Sequence, residues 1–255
     1  MSRGEFLKSL KKSIPGMVLG GGVAVAAQKF LGKIAAASGP VEIPAVMKPE
    51  ITLAAEGIKI DFITKGPPDG NRIALTFDDG PTPGVTDRIL DELQRYGLQA
   101  TFFMIGERIA AAPDLALRVL AEGHEVGNHT FTHPKLTTLS DRQFEAEIRA
   151  TEEIMAKVLN HRAGWFRPPY GELRQNQAHL LARKSLGIVL WSVDSEDWSQ
   201  PGEAQIAGKI LDQTKPGSII LCHDKGPQTA NALRETLDRL LERDFQFATL
   251  STLLT

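Results

Sequence analysis

From about residue 52 onward, short apolar runs rich in β-branched and aromatic residues alternate with segments whose apolar residues recur every three or four positions. The runs "RIALTF", "QATFFMI", "HEVGNH", "GWFRPP", "GIVLWSV", "SIILCH" and "QFATL" predict strands. Helices are predicted between them at 84–96, 107–121, 140–160, 174–185, 203–214 and 229–243. The third helix announces its start, because Ser140 and Gln143 have the spacing of a capping box. Phe144, Ile148, Met155 and Leu159 then form one apolar stripe. Strands alternating with helices predict a parallel sheet. The unbroken apolar character of "SIILC" suits a strand covered on both faces. By itself this alternation fits an open doubly wound sheet and a closed barrel equally.

Upstream the pattern is different. Arg3, Lys8, Lys11 and Lys12 precede an uncharged stretch from Ser13 to Gln28 that contains Ala24, Ala26 and Ala27. A basic segment, an apolar segment and small residues in that order read as a signal peptide or N-terminal membrane anchor over residues 1–37. The apolar stretch is shorter than the roughly 20 residues that span a bilayer, but "KFLGKIAAA" extends it with only Lys29 and Lys33 as charges. Gly4 stands where a twin-arginine signal has its second Arg, so general secretion is the expected route. Residues 38–51, with Pro40, Pro44 and Pro49, read as an extended linker, leaving 52–255 as the folded domain. The chain is expected to be exported, secreted or held at the cell envelope.

Composition narrows the chemistry. A chain of 255 residues with 42% hydrophobic content can bury a sizeable core. The net charge of -2 and the lack of a basic block argue against a nucleic-acid partner. A single cysteine, Cys222, excludes a disulfide framework and a cysteine-rich metal site. It is expected to be buried and inert. A metal would therefore need histidine and carboxylate ligands, and the chain has six histidines.

Reactive side chains gather where the predicted strands end. Asp78 and Asp79 follow "IALTF", and His129 and His133 follow "HEVGN". "RPPYG" follows "GWF", "DSEDW" follows "VLWSV", and "HD" follows "IILC". Loops after strand C-termini form a single face in β/α barrels. Neighbours on a regular strand point to opposite faces, so Asp78 and Asp79 can meet at one site only if the chain turns, which Gly80-Pro81 allows. His129 and His133 are spaced to share a face of a helical turn, although Gly127-Asn128 and Pro134 suggest a loop instead. Two His and one Asp make a three-ligand site with a position open for water. Such donors suit Zn and are compatible with Co, Ni, Fe or Mn. His124 opens a strand, while His161 and His179 lie on or beside helices with no partner expected.

"TFDDGP", "HTFTH", "RPPYG", "DSEDW" and "LCHD", in this order, resemble the five motifs of the polysaccharide deacetylase family, carbohydrate esterase family four. The resemblance runs from about Ile73 to the C-terminus. It implies an α/β fold, a distorted, incomplete (β/α) barrel with about seven parallel strands. It also implies that Asp79, His129 and His133 hold one divalent metal and that Asp78 is the general base. Arg167 would keep Asp78 charged and oriented. The N–H of Tyr170, the first free donor after Pro168 and Pro169, would stabilise the oxyanion with the metal. His223 would act as general acid, oriented by Asp197, with Asp194 as second choice. Trp198 and Leu221, with Tyr170, would line the acetyl pocket or sugar groove, and Asp224 reads as a surface turn residue.

The function implied is a metal-dependent hydrolase that removes acetyl groups from an N-acetylated glycan, peptidoglycan or a chitin-type oligosaccharide, and acts as a monomer. An O-acetyl xylan esterase would use the same site, and a catalytically silent glycan-binding domain would share the fold. A two-metal phosphatase or nuclease would want more histidines and a basic cluster for phosphate.

Overall fold

In a computed structural model the described residues are 52–55, 58–68 and 70–255. The expected signal peptide or anchor at 1–37 and the linker at 38–51 lie outside them. Among the described residues no helix is long and apolar enough to cross a membrane.

Among the described residues ten strands form one curled sheet: β1 (Thr52–Ala55), β2 (Ile58–Ile63), β3 (Arg72–Asp78), β4 (Thr101–Met104), β5 (Glu125–Asn128), β6 (Trp165–Phe166), β7 (Gly187–Val189), β8 (Val193–Asp194), β9 (Ile219–His223) and β10 (Gln246–Phe247). Their order is β1-β2-β7-β6-β5-β4-β3-β9-β8, with β10 beside the start of β3. β1 is antiparallel to β2, and the eight strands from β2 to β8 along this path run parallel. This is an incomplete (β/α) barrel, as expected; β10 also runs parallel to β3, so among the described residues nine parallel strands stand where the sequence pattern suggested about seven.

The count differs for two reasons. The hairpin of β1 and β2 precedes the first expected strand. "GIVLWSV", taken as one strand, serves two edges: β7 pairs with β6 and β2, whereas β8 pairs with β9. Across the seam the Leu190 N–H donates to Ile63 O (2.7 Å) and the Ser192 N–H to Ile219 O (3.0 Å). Three residues thus carry the chain from one side of the gap to the other.

The helices are α1 (Thr86–Tyr96), α2 (Gly106–Ala111), α3 (Pro113–Ala121), α4 (Asp141–Leu159), α5 (Gln175–Arg183), α6 (Glu203–Gln213), α7 (Pro227–Leu241) and α8 (Leu250–Leu253). The expected helix at 107–121 breaks at Ala112, because Pro113 lacks an N–H and opens a helix of its own. The capping box of α4 is present: the Gln143 N–H donates to Ser140 Oγ (3.4 Å), and the Ser140 N–H donates to Gln143 Oε1 (2.8 Å). The expected stripe Phe144, Ile148, Met155 and Leu159 is buried.

Strand alternation sorts the bore of the barrel. Ala74, Thr76 and Asp78 of β3 pair in register with Ile219, Leu221 and His223 of β9. Ala74, Ile219, Phe103 and Val189 form an apolar lower layer, closed beneath by Ala248, Leu250 and Leu253. Residues of opposite parity, such as Phe77 and Phe102, stack outside it with ring centroids 5.0 Å apart. Moving up the same strands, the inward side chains change from apolar to Thr76 and then to Asp78 and His223. The parallel register therefore places the reactive groups together at the C-terminal mouth.

Candidate active site

β3 ends at Asp78, and Asp79 then takes φ +79°. The turn falls on Asp79 itself, one residue earlier than Gly80-Pro81 suggested. This breaks the alternation, so both carboxylates are buried at one place. Asp79 Oδ1 lies 3.5 Å from His129 Nε2 and 3.2 Å from His133 Nε2. Asp78 Oδ2 lies 3.7 Å from the same His129 nitrogen.

No helix presents the two histidines. His129 follows β5 and anchors its N–H on Met104 O (3.1 Å). Thr130 and His133 then adopt left-handed φ of 67° and 59°. Asn128 Oδ1 accepts from the Thr130 N–H (2.8 Å), starting the turn. Glu147 of α4 accepts from the N–H groups of Phe131 (2.9 Å) and Thr132 (2.8 Å) and from the Thr132 hydroxyl (2.8 Å). Left-handed conformations cost β-branched residues most. Asp79, Thr130, His133 and Tyr170 all carry positive φ at this mouth, and such strain persists where surrounding contacts over-determine it.

His129 Nδ1 is 2.7 Å from Arg167 O. A carbonyl only accepts, so Nδ1 carries a proton, and the ring turns Nε2 toward Asp79. Burial pushes the His133 imidazole down to about 4, with the charge of His129 acting in the same direction and Asp79 and Asp78 opposing. It is therefore neutral at pH 7 and able to ligate. Burial works to raise the Asp79 carboxyl, but the imidazoles around it, His129 foremost and then His133 and His223, hold it well below the usual carboxylate range. Its Oδ1 is buried without a hydrogen-bond partner among the described residues. The donor atoms of Asp79, His129 and His133 lie within 4.8 Å of one another. An orphaned carboxylate oxygen beside two imidazole nitrogens fits a divalent cation.

Arg167 lies fully buried in the bore. Its Nη1 donates to Asp78 Oδ1 (2.8 Å) and Thr76 Oγ1 (2.7 Å), Nη2 to Leu190 O (2.9 Å) and Nε to Val189 O (3.3 Å). The guanidinium stacks 4.2 Å from the centroid of the Phe103 ring. It thus joins β3 to the seam strand while holding Asp78. A buried pair of this kind is costly to break, because the survivor is left charged and unpaired.

On the other side, Asp197 Oδ1 faces His223 Nδ1 at 2.6 Å, and Oδ2 accepts from the His223 N–H at 2.7 Å. Burial alone would lower the His223 imidazole, but the bond to Asp197 and that carboxylate's charge, then Asp78 and Asp79, push it up to about 9. Asp194 instead accepts from the Glu196 N–H (2.9 Å) and braces the turn that carries Asp197. The first choice, Asp197, is the residue on the imidazole.

The exposed Tyr170 has φ +61° and packs its ring edge-on to His133, with centroids 4.9 Å apart. Among the described residues no backbone carbonyl accepts from its N–H. Trp198 is 64% exposed beside Asp197, whereas Leu221 is buried one layer below His223, opposite Thr76. Of the expected groove residues, Trp198 and Tyr170 are open to solvent and Leu221 is part of the floor.

Several residues depart from expectation. Asp224 is fully buried rather than a surface turn residue; its Oδ2 accepts from Thr86 Oγ1 (2.5 Å), and burial pushes its carboxyl up to about 7 against that bond. Gly80 makes room for it, since a Cβ there would lie 1.9 Å from Asp224 Oδ2. His161, expected to lack a partner, donates from Nε2 to Val126 O (3.0 Å). His124 is buried and accepts from the Ala100 N–H at Nδ1 (3.1 Å). Cys222 is buried with its thiol pushed up by burial, as expected of an inert cysteine. Thr76, Glu147 and Thr229 had no signal, since each acts through a contact distant in sequence.

Residues 65–191 match the family profile described as Polysaccharide deacetylase. The peptidoglycan-N-acetylmuramic acid deacetylase PdaC of Bacillus subtilis is 39% identical over 73% of this chain and 39% of its own length. The chain therefore spans well under half of that relative. A chitooligosaccharide deacetylase of Rhizobium leguminosarum bv. trifolii is 37% identical over 75% of this chain and 95% of its own. Among solved structures, the Bc1960 peptidoglycan N-acetylglucosamine deacetylase superposes with a TM-score of 0.74 at 35% identity, covering 76% of this chain and 92% of that one. A pseudoenzyme of the same fold, BA3943 of Bacillus anthracis, superposes with a TM-score of 0.74 at 27% identity, covering 78% and 71%. The profile match and relatives at 37–39% identity over about three quarters of this chain show that the chain belongs to the polysaccharide deacetylase family.

Proposed function

We propose that this protein is a metal-dependent N-deacetylase acting on an acetylated glycan of the cell envelope, peptidoglycan in the first place and chitin-type oligosaccharides in the second. The supporting observation is the arrangement of the mouth: the Asp79, His129 and His133 donors between a buried Asp78–Arg167 pair and a charged His223–Asp197 pair. The three donors would hold one divalent ion, Zn by its preference for imidazole and carboxylate, with Co, Ni, Fe or Mn as substitutes. Such an ion supplies Lewis acidity, making a water more acidic and polarising an acetyl carbonyl.

The protein's own groups handle the protons. Asp78, held by Arg167, takes one from the attacking water. The Tyr170 N–H donates to the oxygen that becomes negative. His223, protonated at neutral pH, gives its proton to the leaving nitrogen as the C–N bond breaks. Water and amide become acetate and amine, and the proton taken by Asp78 balances the one given by His223. Tyr170 and Trp198 offer exposed aromatic faces to sugar rings. Export to the envelope accords with the basic and apolar N-terminal pattern and with the relatives' named substrate.

The pseudoenzyme neighbour motivates a second reading, a silent glycan-binding domain. Against it, Asp78, Asp79, His129, His133 and His223 are all present and face one cleft. Acetate release by the full chain from peptidoglycan, chitin oligomers and acetylated xylan separates the readings. Release from the amide substrates is expected. Release from xylan alone would indicate an esterase, and glycan binding with no release from a metal-loaded chain would indicate the silent domain.

A further inference from the structure

Asp197 has a third contact, from outside the acid pair. Thr229, buried at the third residue of α7, donates its hydroxyl to Asp197 Oδ2 at 2.5 Å. The same oxygen accepts from the His223 N–H, while Oδ1 holds His223 Nδ1. The backbone bond ties the carboxylate to the residue it serves, and the hydroxyl ties it to α7. A carboxylate held at both oxygens cannot rotate away from the ring. A hydrogen bond to its charged form also disperses negative charge that would otherwise bind the imidazolium proton more tightly.

We infer that Thr229 is a positioning residue for proton delivery, acting through Asp197 to hold His223 in place and to keep it a competent acid. This rests on the function proposed above. Thr229 adds no bond-making step: His223 still gives its proton to the amine nitrogen as the C–N bond breaks, and the hydroxyl keeps its own. The charged groups facing His223 are Asp197 on its short turn, Asp194 on β8, and Asp78 and Asp79 at the end of β3. Thr229→Val leaves all four in place.

The test compares wild type, Thr229→Val and Thr229→Ser in the full, zinc-loaded chain. An N-acetyl substrate and an aryl acetate, whose leaving group departs without a proton, are measured in parallel. Thr229→Val should lower kcat on the amide about tenfold, at the lower edge of acid–base contributions, with KM and aryl acetate turnover within about twofold. Thr229→Ser should restore the amide rate. NMR titration should place the His223 imidazole about half a pH unit higher in Thr229→Val. Equal losses on amide and aryl acetate, or an unshifted imidazole, would overturn the inference in favour of a packing role. Should wild type release no acetate from any substrate, the deacetylase reading fails, while the His223 titration still decides what Thr229 does.

Discussion

The two ends of the barrel bore are built from the same strands and do opposite things. At the lower end, Ala74, Ile219, Phe103 and Val189 meet Leu250 and Leu253, and the buried Thr101 hydroxyl beside them accepts from the Leu250 N–H (3.0 Å). Four residues further along β3 and β9, Asp78 and His223 occupy the same inward positions. At the mouth positive φ falls on residues of the site itself, Asp79, Thr130, His133 and Tyr170, whereas at the lower end it falls in helix-to-strand turns, at Asn160, Ser185 and Asp244. Apolar burial at one end supports a concentration of buried charge and strained backbone at the other. Stability and chemistry should therefore separate along the bore.

The largest separation is expected at Asp79. Asp79→Ala should abolish tight binding of a divalent ion and lower acetate release by more than about 10³, because water acidity near neutrality depends on the ion. Its metal-free melting temperature should fall by far less than activity does, because relief of a buried oxygen without a partner offsets part of the lost attraction to the surrounding imidazoles. Calorimetric zinc titration and thermal melts read the two effects apart. A melt lowered as much as activity would break the comparison.

Ile219→Ala is the mirror case. A large-to-small change in this layer should cost about 2–5 kcal/mol, read by urea denaturation. Turnover per folded molecule should stay near wild type, because Ile219 lies two layers below His223.

Asp197→Asn sharpens the comparison within the mouth. With His223 pushed up to about 9, amide hydrolysis should hold through neutral pH and fall as pH rises through that value. The variant's basic limb should move down toward the ordinary 6.5, with a rate loss of about 10²-fold. The linked stability has the sign of a raised histidine. It is fully present below about 6.5 and lost as pH rises from there through about 9. Asp197→Asn should flatten that slope in denaturation measured across the window.

The smallest effect serves as a control remote from both ends. Ser140→Ala removes the cap of α4 and should cost about 1 kcal/mol, with no change in kcat or metal affinity.

What could be read from the sequence follows the same division. Strand positions, the α4 cap and stripe, and the five clusters at strand ends depend on local periodicity and short motifs. The choice of Asp197 over Asp194 agrees with the contact to His223. Other features depend on contacts that local pattern does not encode. The split of "GIVLWSV" follows from closing a curled sheet, since nothing in its apolar run marks where the chain changes edges. Presentation of His129 and His133 depends on Glu147 of α4 gripping the turn from the side. Asp224 resembled a turn residue because its burial is created by Gly80 and Thr86 from a distant segment.

The most direct test is acetate release from peptidoglycan and chitin oligomers by the full chain, before chelation, after chelation and after zinc is restored, with Asp78→Asn alongside. The expected result is release that vanishes on chelation and returns with zinc, while Asp78→Asn binds zinc but stays silent. Release that survives removal of the metal, or Asp78→Asn working as well as wild type, would contradict the proposed chemistry of this mouth.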